Sequence, residues 1–346
     1  MGSLAFLLYP FAVLYDGVTA IRNWCYDRGV FKVTKSPIQS ILVGNLSVGG
    51  TGKTPMVEYL IELLHDSRSL ATLSRGYGRK TKGYIQANSN SSPNQLGDEP
   101  FQIYQKFGQE ITVHVCEDRL EGILQIQANA PSTSLVILDD AFQHRRITAD
   151  LAVVLTTYDK PFTRDLLLPM GRLRESRTGA CRADVIIVTK CPENLKSEQK
   201  NTLRKEIQNY TQKNTPVLFS RIGYVAPYAL TEHAKWSDQV ILASGIADDS
   251  SLEKYISRTY GLIDKISFGD HHDFSRSDLD ALSKLWRKHK DQNPVILVTE
   301  KDADKVKSLL EEGFLPEIPI FVQPIKIQFS IEDETILRDL IAQKVN

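Results

Sequence analysis

Short apolar runs recur along the chain, each followed by a stretch whose apolar residues return every three or four positions. Ile41–Val43, Leu70–Ser74, Ile111–Val115, Leu135–Leu138, Leu151–Thr156, Val185–Thr189 and Val217–Ser220 read as buried strands. After the first of them, Met56, Tyr59, Leu60, Leu63 and Leu64 keep helical spacing, and a further helix is expected from about Asp118 to Gln127. Strands separated by helices imply a mainly parallel, doubly wound sheet. Near Ile222–Tyr228 the pattern changes. Val240–Ala243, Ile263–Phe268, Val295–Val298 and Ile318–Val322 then alternate with helices such as 277–289. The expected fold is α/β: a larger domain over 31–221 and a second, smaller α/β domain over 222–329. The crossings near 218–228 and 319–329 are expected to pair as a two-stranded hinge, with the helical tail 331–344 free to return to the first unit.

Residues 1–30 form a segment of their own. Positions 4–15 are almost wholly apolar, and Leu4, Leu7, Leu8, Phe11, Leu14, Tyr15, Val18 and Ile21 make a helical stripe. A membrane span needs about 20 apolar residues, and Asp16 and Arg22 interrupt too early. A signal peptide would want a basic start and a small-residue cleavage site, and neither is clear; Phe6 stands where a myristoylation signal wants Ser or Thr. Two readings stay open: a helix lying in a membrane interface with Arg22 and Trp24 near the headgroups, or a helix packed on its own core.

Composition adds exclusions. The 346 residues can bury the cores of two domains, and 42 basic residues against 42 acidic ones leave no field to draw in nucleic acid. Cys25, Cys116, Cys181 and Cys191 are scattered without metal-ligand spacing, as suits free thiols in a reducing cytoplasm.

The chemistry concentrates in 41–55, ILVGNLSVGGTGKTP, a strand and glycine loop running into a helix. That context makes the larger unit a phosphate-loop NTPase-like domain for a nucleoside triphosphate. Val48, Gly49, Gly50, Thr51, Gly52, Lys53, Thr54 and Pro55 form the nucleotide cradle, with backbone N–H groups and the helix N-terminus facing phosphate oxygens. Lys53 would reach the outer phosphates and the Thr54 hydroxyl a Mg²⁺ ion. Ser47 departs from the pattern, which wants glycine there. Asp139-Asp140, ending the Leu135–Leu138 strand, stand where such enzymes hold Mg²⁺. Arg75, Arg79, Lys80 and Lys82 make a basic loop at a strand end, and Arg172, Arg174 and Arg177 surround Glu175 in another. Asp98-Glu99 precede a helical pattern and read by default as helix capping. Asp270, His271, His272 and Asp273 form a His–carboxylate cluster after a strand, a general base or an ordinary surface loop. Val188-Thr189-Lys190-Cys191-Pro192 is close to a guanine-binding Thr-Lys-x-Asp, with Pro192 where the carboxylate belongs.

Seven motifs in order resemble the lipid A 4′-kinase (tetraacyldisaccharide 4′-kinase) family: VGNLSVGGTGKTP, LSRGYGRK, GDEP, ILDDAFQHR, LPMGRLRES, FGDHHDF and TEKDADK. The resemblance covers about residues 1–330 and includes an atypical phosphate loop at position 47. It implies phosphoryl transfer from ATP, with Mg²⁺, to the 4′-hydroxyl of a tetraacylated glucosamine disaccharide 1-phosphate. The place implied is the cytoplasmic face of the bacterial inner membrane, as a peripheral protein, which turns the first helix into an interfacial anchor. Asp98 matches the family's catalytic carboxylate and His271, in preference to His272, the histidine paired with it; the two lie in different units and meet only on closure. Lys53, Asp139 and Arg174 join the catalytic set, Thr54, Asp139 and Asp140 the metal side, and Arg75, Tyr77, Glu99 and Glu175 the substrate side. A monomer is expected. The rival readings are a phosphate-loop GTPase or metallochaperone-type NTPase, against which Pro192 counts, and a nucleotide-binding membrane scaffold, against which the carboxylates count.

Overall fold

The computed structural model of the chain describes residues 3–246, 248–269, 272–311, 313 and 318–345, with side chains from Leu8 onward. Two compact units divide it: residues 1–222 with 327–346, and residues 223–326.

The larger unit is built on a nine-stranded sheet. Its spatial order is Ile325–Phe329, Val217–Tyr224, Val185–Thr189, Leu151–Thr157, Gln39–Asn45, Leu135–Asp139, Leu70–Ser74, Thr112–Val115 and Ile85–Gln86. From Val217–Tyr224 to Thr112–Val115 every pairing is parallel, and Ile85–Gln86 runs antiparallel to its neighbour. The central strands are mostly apolar and buried because both faces are covered. Leu42, Val136 and Leu138 pack on one face with Ile123, Ile126 and Phe162. Ile41, Val43 and Ile137 pack on the other with Met56, Leu60 and Ile61 of the helix Lys53–Leu64. Leu337 and Ile341 of the helix Ile331–Lys344 join that second layer. The crossing strands Val217–Tyr224 and Ile325–Phe329 are hydrogen-bonded neighbours, and Arg221 Nε donates to Gln328 Oε1 at 3.0 Å between them.

The smaller unit has a five-stranded sheet in the order Tyr228–Ala229, Ile320–Gln323, Val295–Thr299, Gln239–Ser244, Gly261–Ser267. It is parallel except for the short Tyr228–Ala229 edge. The helix Arg276–Lys288 is held at its start by a reciprocal Ser275–Asp278 capping box.

The first helix, Ser3–Asp27, inverts one of the two readings left open. Phe11, Leu14, Val18 and Ile21 are 63%, 67%, 59% and 66% exposed, so its apolar stripe does not pack on a core. Among the described residues no helix is long and apolar enough to cross a membrane. The polar residues do the docking instead. Tyr15 Oη donates to Arg174 O at 2.9 Å, Arg22 Nη2 to Gln143 O at 2.6 Å and Asn23 Nδ2 to Glu175 Oε2 at 3.1 Å.

Candidate active site

The strand Gln39–Asn45 lies between Leu135–Asp139 and Leu151–Thr157, so the segment leaving it emerges at the carboxyl edge of the sheet, where open α/β folds bind ligands. That segment is the glycine loop. Gly49 and Gly52 take positive φ, 102° and 86°, which glycine adopts without a Cβ penalty. Thr51 is pinned from two sides: Asn45 Nδ2 donates to its Oγ1 at 2.7 Å, and Thr189 Oγ1 donates to its carbonyl at 2.8 Å. Ser47 lies outside the left-handed region and forms a bridge with Leu173, while Val48 N donates to Arg172 O at 2.7 Å. The loop 168–176 thus runs alongside the phosphate loop as an added strip, and glycine is not required at position 47.

That strip delivers Arg174. Its guanidinium donates to Asp140 through Nη1 at 3.1 Å and Nη2 at 2.7 Å, and also to Asn45 Oδ1. Lys53 Nζ stands 3.8 Å from Asp140 Oδ1. Burial would raise the Asp140 pKa, but the Arg174 hydrogen bonds and the Lys53 charge outweigh it and hold the carboxyl below its usual range. Asp139 is the reverse case. It is 3% exposed, its Oδ1 has no hydrogen-bond partner, and burial, reinforced by the negative charge of Glu99 and Asp140, pushes its pKa up to about 7 against Lys53 and Arg119.

Arg119, absent from the candidates drawn from sequence, underlies both aspartates. It is 2% exposed; Nη2 donates to Asp139 O at 2.8 Å and Nη1 to Cys116 O at 3.0 Å. A signal was available: Arg119 is the first residue of the helix Arg119–Asn129, where a cation opposes the helix dipole. Asn45, Thr189 and Gln143 were missed too, because each acts through a tertiary partner that no local pattern announces.

Asp98 and Glu99 are the first two residues of the helix Asp98–Phe107, with Gly97 as the capping residue, so both carboxylates lie in the first turn, at the positive end of the dipole. Gly97 has φ 93°, and a Cβ there would stand 2.8 Å from Tyr77 O; the loop bearing Arg75 and Tyr77 therefore closes against the start of this helix. Both Arg75 and Tyr77 are exposed, Tyr77 by 82%. The stretch 86–97 holds the short helix Pro93–Leu96. Glu175 is committed elsewhere: it accepts from Arg182 Nη2 at 2.8 Å on both oxygens, from Gln143 Nε2 at 3.0 Å and from Asn23 of the first helix.

In the smaller unit, Asp270 and His271 lie outside the described residues. His272 is held by Asp278, Nε2 to Oδ2 at 3.0 Å, and stacks on Phe268 with centroids 4.7 Å apart. Lys305 Nζ donates to His272 O at 3.1 Å. Asp302, 2% exposed, accepts on Oδ2 from Thr299 Oγ1 at 2.7 Å and from Gly245 N at 2.8 Å.

A parallel sheet with a glycine loop feeding a helix, and paired aspartates ending the neighbouring strand, defines an α/β protein of phosphate-loop NTPase-like fold. The sequence model of the tetraacyldisaccharide-1-P 4'-kinase family matches residues 4–346. The chain belongs to that family, and it is a kinase. The tetraacyldisaccharide 4'-kinase of Cytophaga hutchinsonii is 40% identical over 340 residues, covering 96% of this chain and 94% of that protein. That of Flavobacterium psychrophilum is 41% identical over 325 residues, 92% of each chain. The crystal structure of LpxK from Aquifex aeolicus in complex with ATP is similar with a TM-score of 0.75 at 28% identity, covering 99% of this chain and 100% of that one.

Proposed function

We propose that the chain transfers the γ-phosphoryl group of ATP to the 4′-hydroxyl of a tetraacylated glucosamine disaccharide 1-phosphate, a step of lipid A assembly at the cytoplasmic face of the inner membrane. The observation that carries this reading is the convergence of Lys53, Asp140 and Arg174 beside the phosphate loop of a chain in this family. In a loose phosphoryl transition state, charge spreads over the equatorial oxygens, so positioning and charge stabilisation dominate. Lys53 and Arg174 supply two cations there, and the backbone N–H groups opening the helix Lys53–Leu64 add a third positive end.

Mg²⁺ fits the donor set. The unpartnered Asp139 Oδ1 needs a cation to offset its burial, and Thr54 opens the facing helix turn. Among the described residues no three His, Cys, Asp or Glu side chains could hold a metal on their own, as suits an ion bound by one or two carboxylates and the nucleotide's own phosphates. Thr54, Asp139 and Asp140 would hold it, and when bound it neutralises phosphate charge. Asp98 with His271 activates the sugar hydroxyl. Arg75, Tyr77 and Glu99 serve the acceptor side, while Glu175, saturated by Arg182, Gln143 and Asn23, positions Arg174 and the first helix. The exposed Phe11, Leu14 and Val18, which border a groove of about 400 Å³ with Leu168 and Pro169, suit an interfacial helix on a monomeric peripheral enzyme.

The test is transfer of labelled γ-phosphate to the acyl disaccharide 1-phosphate in detergent micelles, by wild type and Asp98→Ala. Transfer by wild type, with at least about a hundredfold less by the variant, is expected. ATP hydrolysis with no label on the lipid would replace the kinase reading with an NTPase; near-normal transfer by the variant would remove Asp98 from its role.

A further inference from the structure

The loop that leaves the strand Leu70–Ser74 is shaped around a side chain that does not reach its surface. Arg75 and Tyr77 of that loop are exposed, whereas the Arg79 side chain is only 2% exposed. Its Nη2 donates to Gly83 O and to Glu117 Oε1, each at 2.6 Å, and the other Glu117 oxygen accepts from Gly83 N at 3.0 Å. One guanidinium and one carboxylate thus close the segment 79–83 against the end of the neighbouring strand Thr112–Val115. Among the described residues Arg79 Nε and Nη1 are buried without a hydrogen-bond partner, so the Glu117 charge is what compensates the buried cation. Burial would raise the Glu117 pKa, but the hydrogen bond and charge of Arg79 hold the carboxyl below its usual range.

The arginine stem has a second task. A Cβ on Gly76 would lie 2.6 Å from Arg79 Cδ and 2.7 Å from Leu96 O, so the turn 76–79 closes over the stem and against the residue before Gly97. Lys80 N donates to Asn94 O at 2.8 Å and Thr81 Oγ1 to Gln95 O at 2.7 Å, which fastens the rest of the loop to the helix Pro93–Leu96. Gly97 and Asp98 follow directly, so the loop bearing Tyr77 and the helix bearing Asp98 share one support.

We propose that Arg79, paired with Glu117, is a positioning residue of the acceptor side: it touches no substrate and fixes the turn that presents Arg75 and Tyr77 beside the start of the Asp98 helix. This deepens the proposed function and rests on its reading of that turn as acceptor-binding. Without the clasp the turn would spread over many conformations, and the cost of ordering it would fall on acceptor binding. The phosphate loop leaves a different strand, Gln39–Asn45, two places away across Leu135–Asp139, so ATP binding is spared that cost.

Steady-state transfer of labelled γ-phosphate to the acyl disaccharide 1-phosphate in detergent micelles, with each substrate varied in turn, separates positioning from a general structural role. For Arg79→Ala the KM for the acceptor is expected to rise by about tenfold or more, with the KM for ATP changed less than about twofold and kcat reduced less than about threefold. Glu117→Gln, at a side chain 42% exposed, keeps the fold and should move the acceptor KM the same way by about threefold. It decides the matter alone if Arg79→Ala does not fold. Arg79→Lys, which keeps the charge but not the fork, should recover part of the loss, and the double variant Arg79→Ala with Glu117→Gln should cost no more than Arg79→Ala. Equal rises in both KM values, or an acceptor KM indifferent to Arg79→Ala and Glu117→Gln, would overturn the clasp. Tyr77→Ala keeps that failure apart from failure of the underlying reading. An acceptor KM unchanged by Tyr77→Ala would remove the whole turn from the acceptor side, whereas a raised one with an indifferent Arg79→Ala would remove Arg79 alone.

Discussion

Asp139 ends a strand and Asp302 lies in the helix that follows one, and the chain treats the two buried aspartates in opposite ways. Asp139 is the last residue of the buried strand Leu135–Asp139 in the larger unit; Asp302 comes three residues after the buried strand Val295–Thr299 in the smaller. Both are almost fully buried, at 3% and 2% exposure. Asp302 is answered from within its own unit by the Thr299 hydroxyl and the Gly245 amide. Asp139 keeps an oxygen with no partner and has Glu99 and Asp140 as like-charged neighbours. Burying a carboxylate costs several kcal/mol unless it is paired or hydrogen-bonded. The fold offsets the first of these costs with hydrogen bonds from both donors and leaves one oxygen of the second unanswered. The lesson is that burial alone does not mark a site; what sets Asp139 apart is a buried carboxylate oxygen without a partner beside like charges.

The largest test of this contrast is Asp139→Asn. Removing the charge at the metal-side position should lower phosphoryl transfer by at least about a hundredfold, measured as labelled phosphate on the lipid acceptor. Turnover within threefold of wild type would mean that the unsatisfied oxygen is structural after all. Next in size is Asp302→Ala, expected to destabilise the smaller unit by about 3 kcal/mol in urea unfolding, since two buried donors lose a charged acceptor. No loss of stability would erase the distinction between the two aspartates.

A third test uses pH and metal-free protein. The folded Asp139 carboxyl, raised to about 7 against 3.8 unfolded, holds its proton more tightly than the unfolded chain. Its contribution to stability is therefore whole below about pH 4 and is lost as pH rises to about 7, a change on the order of 2–4 kcal/mol. His114 pulls the other way in an overlapping window. Burial lowers its pKa to about 4, so its contribution is whole above 6.5 and lost as pH falls towards 4. The Asp139 effect must be read as a difference, with Asp139→Asn gaining on wild type between pH 4 and pH 7. A constant difference across that range would refute the raised pKa.

The same contrast explains how much of the chain was legible. The strands Leu70–Ser74 and Val185–Thr189 and the helix Ile331–Lys344 fall where their apolar patterns put them, because local periodicity records burial on a sheet or helix face. The glycine loop follows the strand Gln39–Asn45 and Asp139 ends Leu135–Asp139, each where an apolar run in the sequence stops. Arg119 beneath the aspartates, the hold of Arg79 on Glu117 and the clasp of Glu175 by Arg182, Gln143 and Asn23 were not legible in this way. The hydrogen bonds from Asn23 and Gln143 to Glu175 span 152 and 32 residues, and no local spacing carries such pairings. The first helix shows the limit most directly. Its stripe was visible, but whether it faced a core depended on Tyr15, Arg22 and Asn23 finding partners more than a hundred residues away.

The smallest expected effect concerns Ser47, the one departure from the usual loop. Glycine is needed in such loops where φ is positive or where the backbone must approach a phosphate closely. Gly49 and Gly52 meet the first condition; Ser47 does not, and it is tied into a bridge with Leu173 that any residue can form. At a position without that need, glycine only widens the unfolded ensemble. Ser47→Gly should therefore cost about 0.5–1 kcal/mol in urea unfolding and leave transfer within about twofold. The alternative is a serine that crowds the nucleotide, in which case the glycine variant would bind ATP more tightly by tenfold or more. That result would make the strip 168–176, and Arg174 with it, a later adjustment to a compromised loop. Unchanged ATP binding with a slightly weaker fold would instead make the strip the reason that glycine was never required.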